Sequence, residues 1–347
     1  MTARGLRAGL ALLLSIGVVS AGPGRAAPRS DEPRPGTSNE YPDGDATYRV
    51  YTPRGYHQGM PLLVMVHGCN TSAAQQEGAN RLNDIADRRG FVVLYADHDT
   101  ATNTELGTHP VRCWRWYSPA DWLRDGPDPT TIAGQTRAVM SRWKIDPQRV
   151  YAVGMSSGAM ITSALGATYP DLYAAIGIVA GCQYAGGAPC VAAPYQSVDQ
   201  TDQQAELAHD QQGTRARVVP VIDIRGDADR TVTPAAGPRV IEQWLKTANL
   251  ALSGDGAKPL RLAPASTRHA AVPGGRSYTT QTYRDAAGCL VAQRVVVHGM
   301  DHFWPGGSPD PRWYEYEDPT APNGGELAWD FFSHFRRDLT GGPCTER

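Results

Sequence analysis

Gly154-Met155-Ser156-Ser157-Gly158 sets a serine between two glycines, where an apolar, strand-like run at 149–153 meets a helix-forming run at 159–165. A serine hydroxyl is a weak nucleophile at its own acidity. Chemistry at Ser156 therefore requires a base to take its proton and a third group to hold that base in one tautomer. The loop Gly226-Asp227-Ala228-Asp229-Arg230 follows an apolar run at 218–224 and offers two carboxylates. Asp229 is the expected acid; Asp227 is the alternative, better suited to capping the turn through backbone amides. A later run ends in His298-Gly299-Met300-Asp301-His302. His298 still falls within strand register and His302 lies in the loop beyond, so His302 is the expected base. Such a set attacks an acyl carbon, and the charge that develops on the attacked oxygen needs amide donors aimed at it. The expected donors are the N–H of Ser157 and the N–H of Cys69, within His67-Gly68-Cys69-Asn70, with Asn70 as second choice for the latter.

These residues work together only if the chain brings distant strand ends to one edge. Continuous apolar runs at 62–66, 91–95, 150–153, 175–179 and 218–224 fit strands buried on both faces of a parallel sheet. Between them, stretches at 76–88, 130–143, 157–168 and 238–248 have helical length and amphipathic spacing. The segments 277–284 and 291–297 read as a hairpin, and 326–338 as a closing helix. The alternation predicts a doubly wound, mostly parallel α/β sheet with helices on both faces. In such a sheet the ligand site lies at the carboxyl ends of the strands, where each candidate above is found. G-x-S-x-G at a strand-to-helix junction is the nucleophile elbow of the α/β-hydrolase architecture, with the glycines permitting close approach of strand and helix.

Residues 1–26 read as a secretory signal, with Arg4 and Arg7 ahead of an apolar stretch too short for a membrane anchor. Residues 27–45 are rich in Pro, Gly, Ser and acidic residues and read as a loose, disordered leader, leaving 46–347 as one catalytic domain. The net charge is −2, with no basic cluster and no acidic block, which argues against nucleic acid and membrane partners. A monomer is expected. All six cysteines (Cys69, Cys113, Cys182, Cys190, Cys289 and Cys344) follow the signal, so an exported chain should carry them as disulfides. Spacing does not choose among the full pairings, although Cys182 and Cys190 bracket a short loop and close most easily. No C-x-x-C occurs, and Gly299 argues against a helix that would make His298 and His302 a metal pair. No metal and no cofactor are expected. Trp114, Trp116, Tyr117 and Trp304 flank the candidate site and are expected to contact substrate, with core packing the competing use of such rings.

Five blocks, in this order, carry a resemblance: His67-Gly68-Cys69; Arg112-Cys113-Trp114-Arg115-Trp116-Tyr117; the elbow pentapeptide; Gly226 through Val232; and Gly299 through Gly307. Together they resemble the polyhydroxybutyrate depolymerase family of secreted α/β-hydrolase esterases, which overlaps feruloyl and acetylxylan esterases of the same fold. The resemblance implies that Ser156, Asp229 and His302 form a triad and that Cys69 pairs with Cys113 beside the site. It implies an ester substrate: a polyester, its oligomers, or an esterified polysaccharide. The chain departs from the family pattern at Ala159, in the elbow helix, and at Asp301, frequently glycine before the histidine. A reading of another class is a non-catalytic protein that uses the aromatic face to grip polymer or glycan.

Overall fold

The computed structural model describes residues 33–44, 46–98, 112–191, 200–253, 258–313 and 315–338. The expected signal lies outside them, as does Cys344. Five runs of uniformly buried residues form β3 (Leu62–Val66), β4 (Val92–Ala96), β5 (Val150–Met155), β6 (Ala175–Val179) and β7 (Val221–Gly226). With β10 (Leu290–Val297) they make the parallel centre of a sheet in the order β4-β3-β5-β6-β7-β10. Alternate residues of one strand enter different cores. Leu62, Val64 and Val66 pack into one apolar cluster, and Leu63 and Met65 into the other. The first is covered by α3 (Pro127–Arg142), α4 (Ser157–Thr168) and α6 (Ala236–Leu252). The second is covered by α1 (Ala73–Asn80), α2 (Leu82–Arg89) and α7 (Gly324–Phe332). The sheet is thus doubly wound, as the pattern of apolar runs predicts.

Antiparallel strands extend both edges: β1 (Thr37–Asp43) and β2 (Ala46–Thr52) beside β4, and β9 (Ser277–Arg284) and β8 (Ser266–Ala271) beside β10. Strand β1 corrects the expectation of a loose leader through Asp45. Its Tyr41 stacks on Tyr48 and meets Trp143 edge-on, so aromatic packing offsets a composition that suggests disorder. The helix expected over 76–88 is two helices, because Arg81 is left-handed (φ 59°) and the Asn80 side chain accepts the Leu82 N–H to start α2. Helix α5 (Thr201–Gln212) and strand β8 had no counterpart in the expected elements. Strand β8 is exposed throughout and carries no apolar alternation to read. Among the described residues no helix is long and apolar enough to cross a membrane.

Candidate active site

Ser156 occupies the turn between β5 and α4 with φ 56° and ψ −122°, a conformation that costs a non-glycine residue energy. Neighbouring hydrogen bonds hold it there: Ser156 N–H donates to the Val179 carbonyl (3.0 Å) and Met160 N–H to the Ser156 carbonyl (3.1 Å). A Cβ on Gly154 would overlap the Gly158 carbonyl, and one on Gly158 would overlap the carbonyls of Val66 and His67. The two glycines let β5, α4 and the end of β3 crowd together, which lifts Ser156 out of the turn.

The loop after β3 lies directly against this turn. A Cβ on Gly68 would stand 3.3 Å from the Ser156 Cβ. The loop is braced by the Cys69–Cys113 disulfide, by Thr71 Oγ1 donating to the Gly68 carbonyl (2.8 Å), and by Trp114 Nε1 donating to the His67 carbonyl (2.9 Å). His67 contacts the Gly68 carbonyl through Nδ1 (2.7 Å) and Asp97 through Nε2 (3.2 Å). Burial pushes the Asp97 carboxyl up, but the His67 hydrogen bond and charge, the Ala73 amide and Arg112 outweigh it and hold Asp97 well below the usual range. Among the described residues, no protein acceptor takes the N–H of Cys69 or of Ser157. Both amides are available to a ligand.

Beyond β7, Asp229 is buried, and its Oδ1 accepts the N–H groups of Thr231 (2.8 Å) and Val232 (2.9 Å). Its Oδ2 lies 2.8 Å from His302 Nδ1. A carboxylate only accepts, so Nδ1 carries the proton and Nε2 keeps its lone pair for another donor. The structure thus brings Asp229 and His302 together, in the loops that follow the adjacent parallel strands β7 and β10. Among the described residues no hydrogen bond joins the Ser156 hydroxyl to His302. Such bonds commonly tighten only around a substrate. An apolar cluster of Met160, Cys182, Cys190, Val232 and Ala236, with Trp116 packed on it, connects the first turn of α4 to the Asp229 loop. The Cys182–Cys190 disulfide forms as spacing suggests. Cys289 is also disulfide-bonded, and Cys344, the remaining cysteine, lies outside the described residues.

The chain matches the family described as esterase PHB depolymerase over residues 46–261. It belongs to that family. An acetylxylan esterase of Coprinopsis cinerea is 37% identical over 134 residues, covering 38% of this chain and 34% of that protein. Poly(3-hydroxyalkanoate) depolymerase C of Paucimonas lemoignei is 26% identical over 260 residues, covering 74% of this chain and 58% of that protein. The chain spans less than two thirds of either relative. The solved acetyl xylan esterase from Aspergillus awamori superposes with a TM-score of 0.62 at 19% identity, covering 86% of this chain and 99% of that one. That likeness establishes the α/β-hydrolase fold.

Asp301, where this chain departs from the depolymerase family pattern, has a definite place. Its Oδ1 accepts the N–H groups of Arg230 (3.0 Å) and His302 (2.9 Å), and its Oδ2 pairs with the Arg230 guanidinium (2.7 Å). The Arg230 amide first, then its side chain and the His302 amide, hold the Asp301 carboxyl below its ordinary value. Asp301 therefore straps the His302 loop to the Asp229 loop. A sequence reading could find it only through the opposite charges at 230 and 301 on two converging loops. Asp227, the alternative acid, caps a different turn than expected. It accepts the Gly299 N–H (2.6 Å) and meets His298 Nδ1 (2.8 Å).

Two of the four rings assigned to substrate are elsewhere. Trp114 and Trp304 are fully buried, Trp114 under the β3 loop and Trp304 in the short β11 (Trp304–Pro305). Large rings gain most by leaving water, and nothing in the sequence marks which do so. Trp116 is half-buried and Tyr117 is 37% exposed, so these two keep faces available for a ligand. Among the described residues, His67, Asp97 and His98 are the one group of three or more metal-ligating types with ligand atoms close together. Asp97 there already accepts from Arg112 (2.8 Å) and from the Ala73 and His98 amides (2.9 Å each), so the guanidinium holds the place a cation would take.

Asp128, in the first turn of α3, accepts the Arg115 N–H (2.5 Å) and so anchors the segment carrying Cys113 and Trp116. Burial pushes its carboxyl up to about 6, against the opposing effect of the Arg115 amide and charge. A carboxyl raised in the folded state binds its proton more tightly there than in the unfolded chain. Its stabilising contribution is full below about pH 4 and is lost as pH rises through about 6. Asp128→Asn is therefore expected to gain stability relative to the native chain between about pH 4 and pH 7, on the order of 2 kcal/mol. Urea unfolding midpoints at the two ends of that window check it, and parallel pH profiles for the two proteins contradict it.

Proposed function

We propose that this chain is a secreted serine esterase that hydrolyses carboxylic esters through an acyl-enzyme, with Ser156, His302 and Asp229 as its triad. The observation that carries this reading is the hydrogen bond from His302 Nδ1 to a buried Asp229, in loops at the carboxyl ends of β10 and β7, the same side of the parallel sheet as the strained Ser156 after β5. His302 Nε2, left basic by that hydrogen bond, takes the Ser156 proton as Oγ attacks the ester carbonyl. The N–H groups of Ser157 and Cys69 receive the oxyanion, each such donor being worth about 100-fold to 1,000-fold in rate. The imidazolium then protonates the leaving alcohol, and a water activated by the same ring releases the acid.

The substrate we favour is a hydroxyalkanoate-type polyester or its oligomers, on the strength of the Paucimonas lemoignei depolymerase, whose match covers 74% of this chain. Trp116 and Tyr117 offer flat apolar area for such a chain. Acetylated xylan is the second reading, favoured by the Coprinopsis cinerea relative at 37% identity. Disulfides support an oxidising, extracellular location. A fluorophosphonate probe is expected to label the mature protein once, on the peptide carrying Ser156, alongside hydrolysis of short p-nitrophenyl esters. Turnover of hydroxybutyrate oligomers against acetylated xylan then ranks the substrates. A protein that binds polymer yet takes up no probe would be the non-catalytic binder instead.

A further inference from the structure

A second Asp–His pair stands beside the first and reaches a second histidine. Asp227 Oδ2 lies 2.8 Å from His298 Nδ1; His298 Nε2 lies 2.8 Å from Thr279 Oγ1; and Thr279 Oγ1 lies 2.9 Å from His269 Nδ1. The sheet makes this meeting obligatory. His269 on β8 is directly opposite Thr279 on β9, Thr279 is opposite Val296 on β10, and His298 is two residues beyond Val296, so all three polar side chains share one face. Neither ring is buried. His298 and His302 do not pair, in keeping with the strand register and Gly299 that argue against a helix here, and His298 has a cross-strand partner instead.

Donor and acceptor logic fixes the roles. Asp227 only accepts, so the neutral His298 ring carries its proton on Nδ1 and presents a lone pair at Nε2. A histidine whose far nitrogen is held by a carboxylate is the arrangement that orients imidazole for a metal. His269 Nδ1 converges on the same point from the other side, and the Thr279 oxygen marks the place where both nitrogens aim. Imidazole nitrogen binds zinc at about 2.0–2.1 Å, so each ring has to close by less than about 1 Å once an ion displaces the hydroxyl. Arg276 contacts the His298 carbonyl at 3.5 Å and is itself paired with Asp318. On the other flank, Arg294 is engaged by Gln281 (3.1 Å).

We propose that His269 and His298, backed by Asp227, form a binding site for a divalent transition ion of borderline softness such as Zn²⁺, with water completing the coordination. Because Asp227 shares a loop with Asp229 and His298 shares one with His302, the bound ion braces the two loops that hold the candidate acid and base. The site does not depend on ester hydrolysis, and its test does not read activity. Untagged protein is titrated with ZnCl₂ against a chromogenic zinc indicator near neutral pH, with thermal melts confirming that each variant is folded. The expected result is one micromolar site, weakened more than about tenfold in His269→Ala and in His298→Ala, about tenfold in Asp227→Asn, and unaltered in His302→Ala. Zinc affinity that survives in the folded His269→Ala/His298→Ala protein, or that disappears with His302→Ala alone, overturns the proposal.

Discussion

Replacing Ser156 with alanine is expected to lower kcat on a soluble ester by about a million-fold, and replacing His302 with alanine by a similar factor. The double variant is expected to be no worse than either single one. A base with no hydroxyl to activate and a hydroxyl with no base are equally idle, so the losses do not multiply. Asp229→Asn is expected to cost about 10,000-fold, because an amide at that site can present N–H to His302 Nδ1 and select the tautomer that cannot accept from serine. The residual rate reflects binding and the Ser157 and Cys69 amides alone. Steady-state kinetics on the four proteins, with active-site titration to exclude contaminating wild type, decide the matter. Multiplicative losses, or a Ser156→Ala protein within tenfold of native, would show that the hydroxyl and the imidazole do not act as one unit, and the esterase mechanism would have to be abandoned.

The second large effect is on folding. Gly158→Ala adds one methyl group where the backbone carbonyls of Val66 and His67 already stand in the way, and neither oxygen is on a side chain that can rotate aside. Overpacking of this kind against backbone is expected to cost about 3 kcal/mol, a fall in Tm of roughly 5 °C for a domain of this size. Gly134→Ala is the contrasting case. Gly134 lies mid-way along α3, exposed, with nothing within 4 Å of an added Cβ, so the same substitution there is expected to stabilise by about 1 kcal/mol. Thermal melts of both proteins test the pair. Equal effects would mean that β3 and α4 are not wedged together as described.

What could be read from the sequence follows from what leaves a periodic or punctuated mark. The parallel strands are legible because burial on both faces demands unbroken apolar runs, and the β5–α4 turn because glycines are required on either side of Ser156. Asp229 and His302 are legible by position, each just past a strand end. Trp114 and Trp304 are misplaced because an aromatic residue has the same letter whether it lines a cleft or fills a core. Strand β1 is missed because Pro42 and the acidic residues around it obscure the turn at Gly44 that joins it to β2. The Asp301–Arg230 strap and the meeting of His269 with His298 depend on which loops and strands become neighbours, which is a property of topology and is invisible in spacing.

The link between Cys69 and Cys113 ties the loop after β3 to the segment bearing Trp116 by a bond that redox chemistry can open. With both thiols reduced, the segment proposed to supply one oxyanion donor is expected to keep its hydrogen bonds but to lack that covalent tie. An oxidising environment is expected to restore it. For the proposed esterase the bond is then expected to act as a maturation step, with turnover of a soluble ester lower in the reduced protein than in the oxidised one.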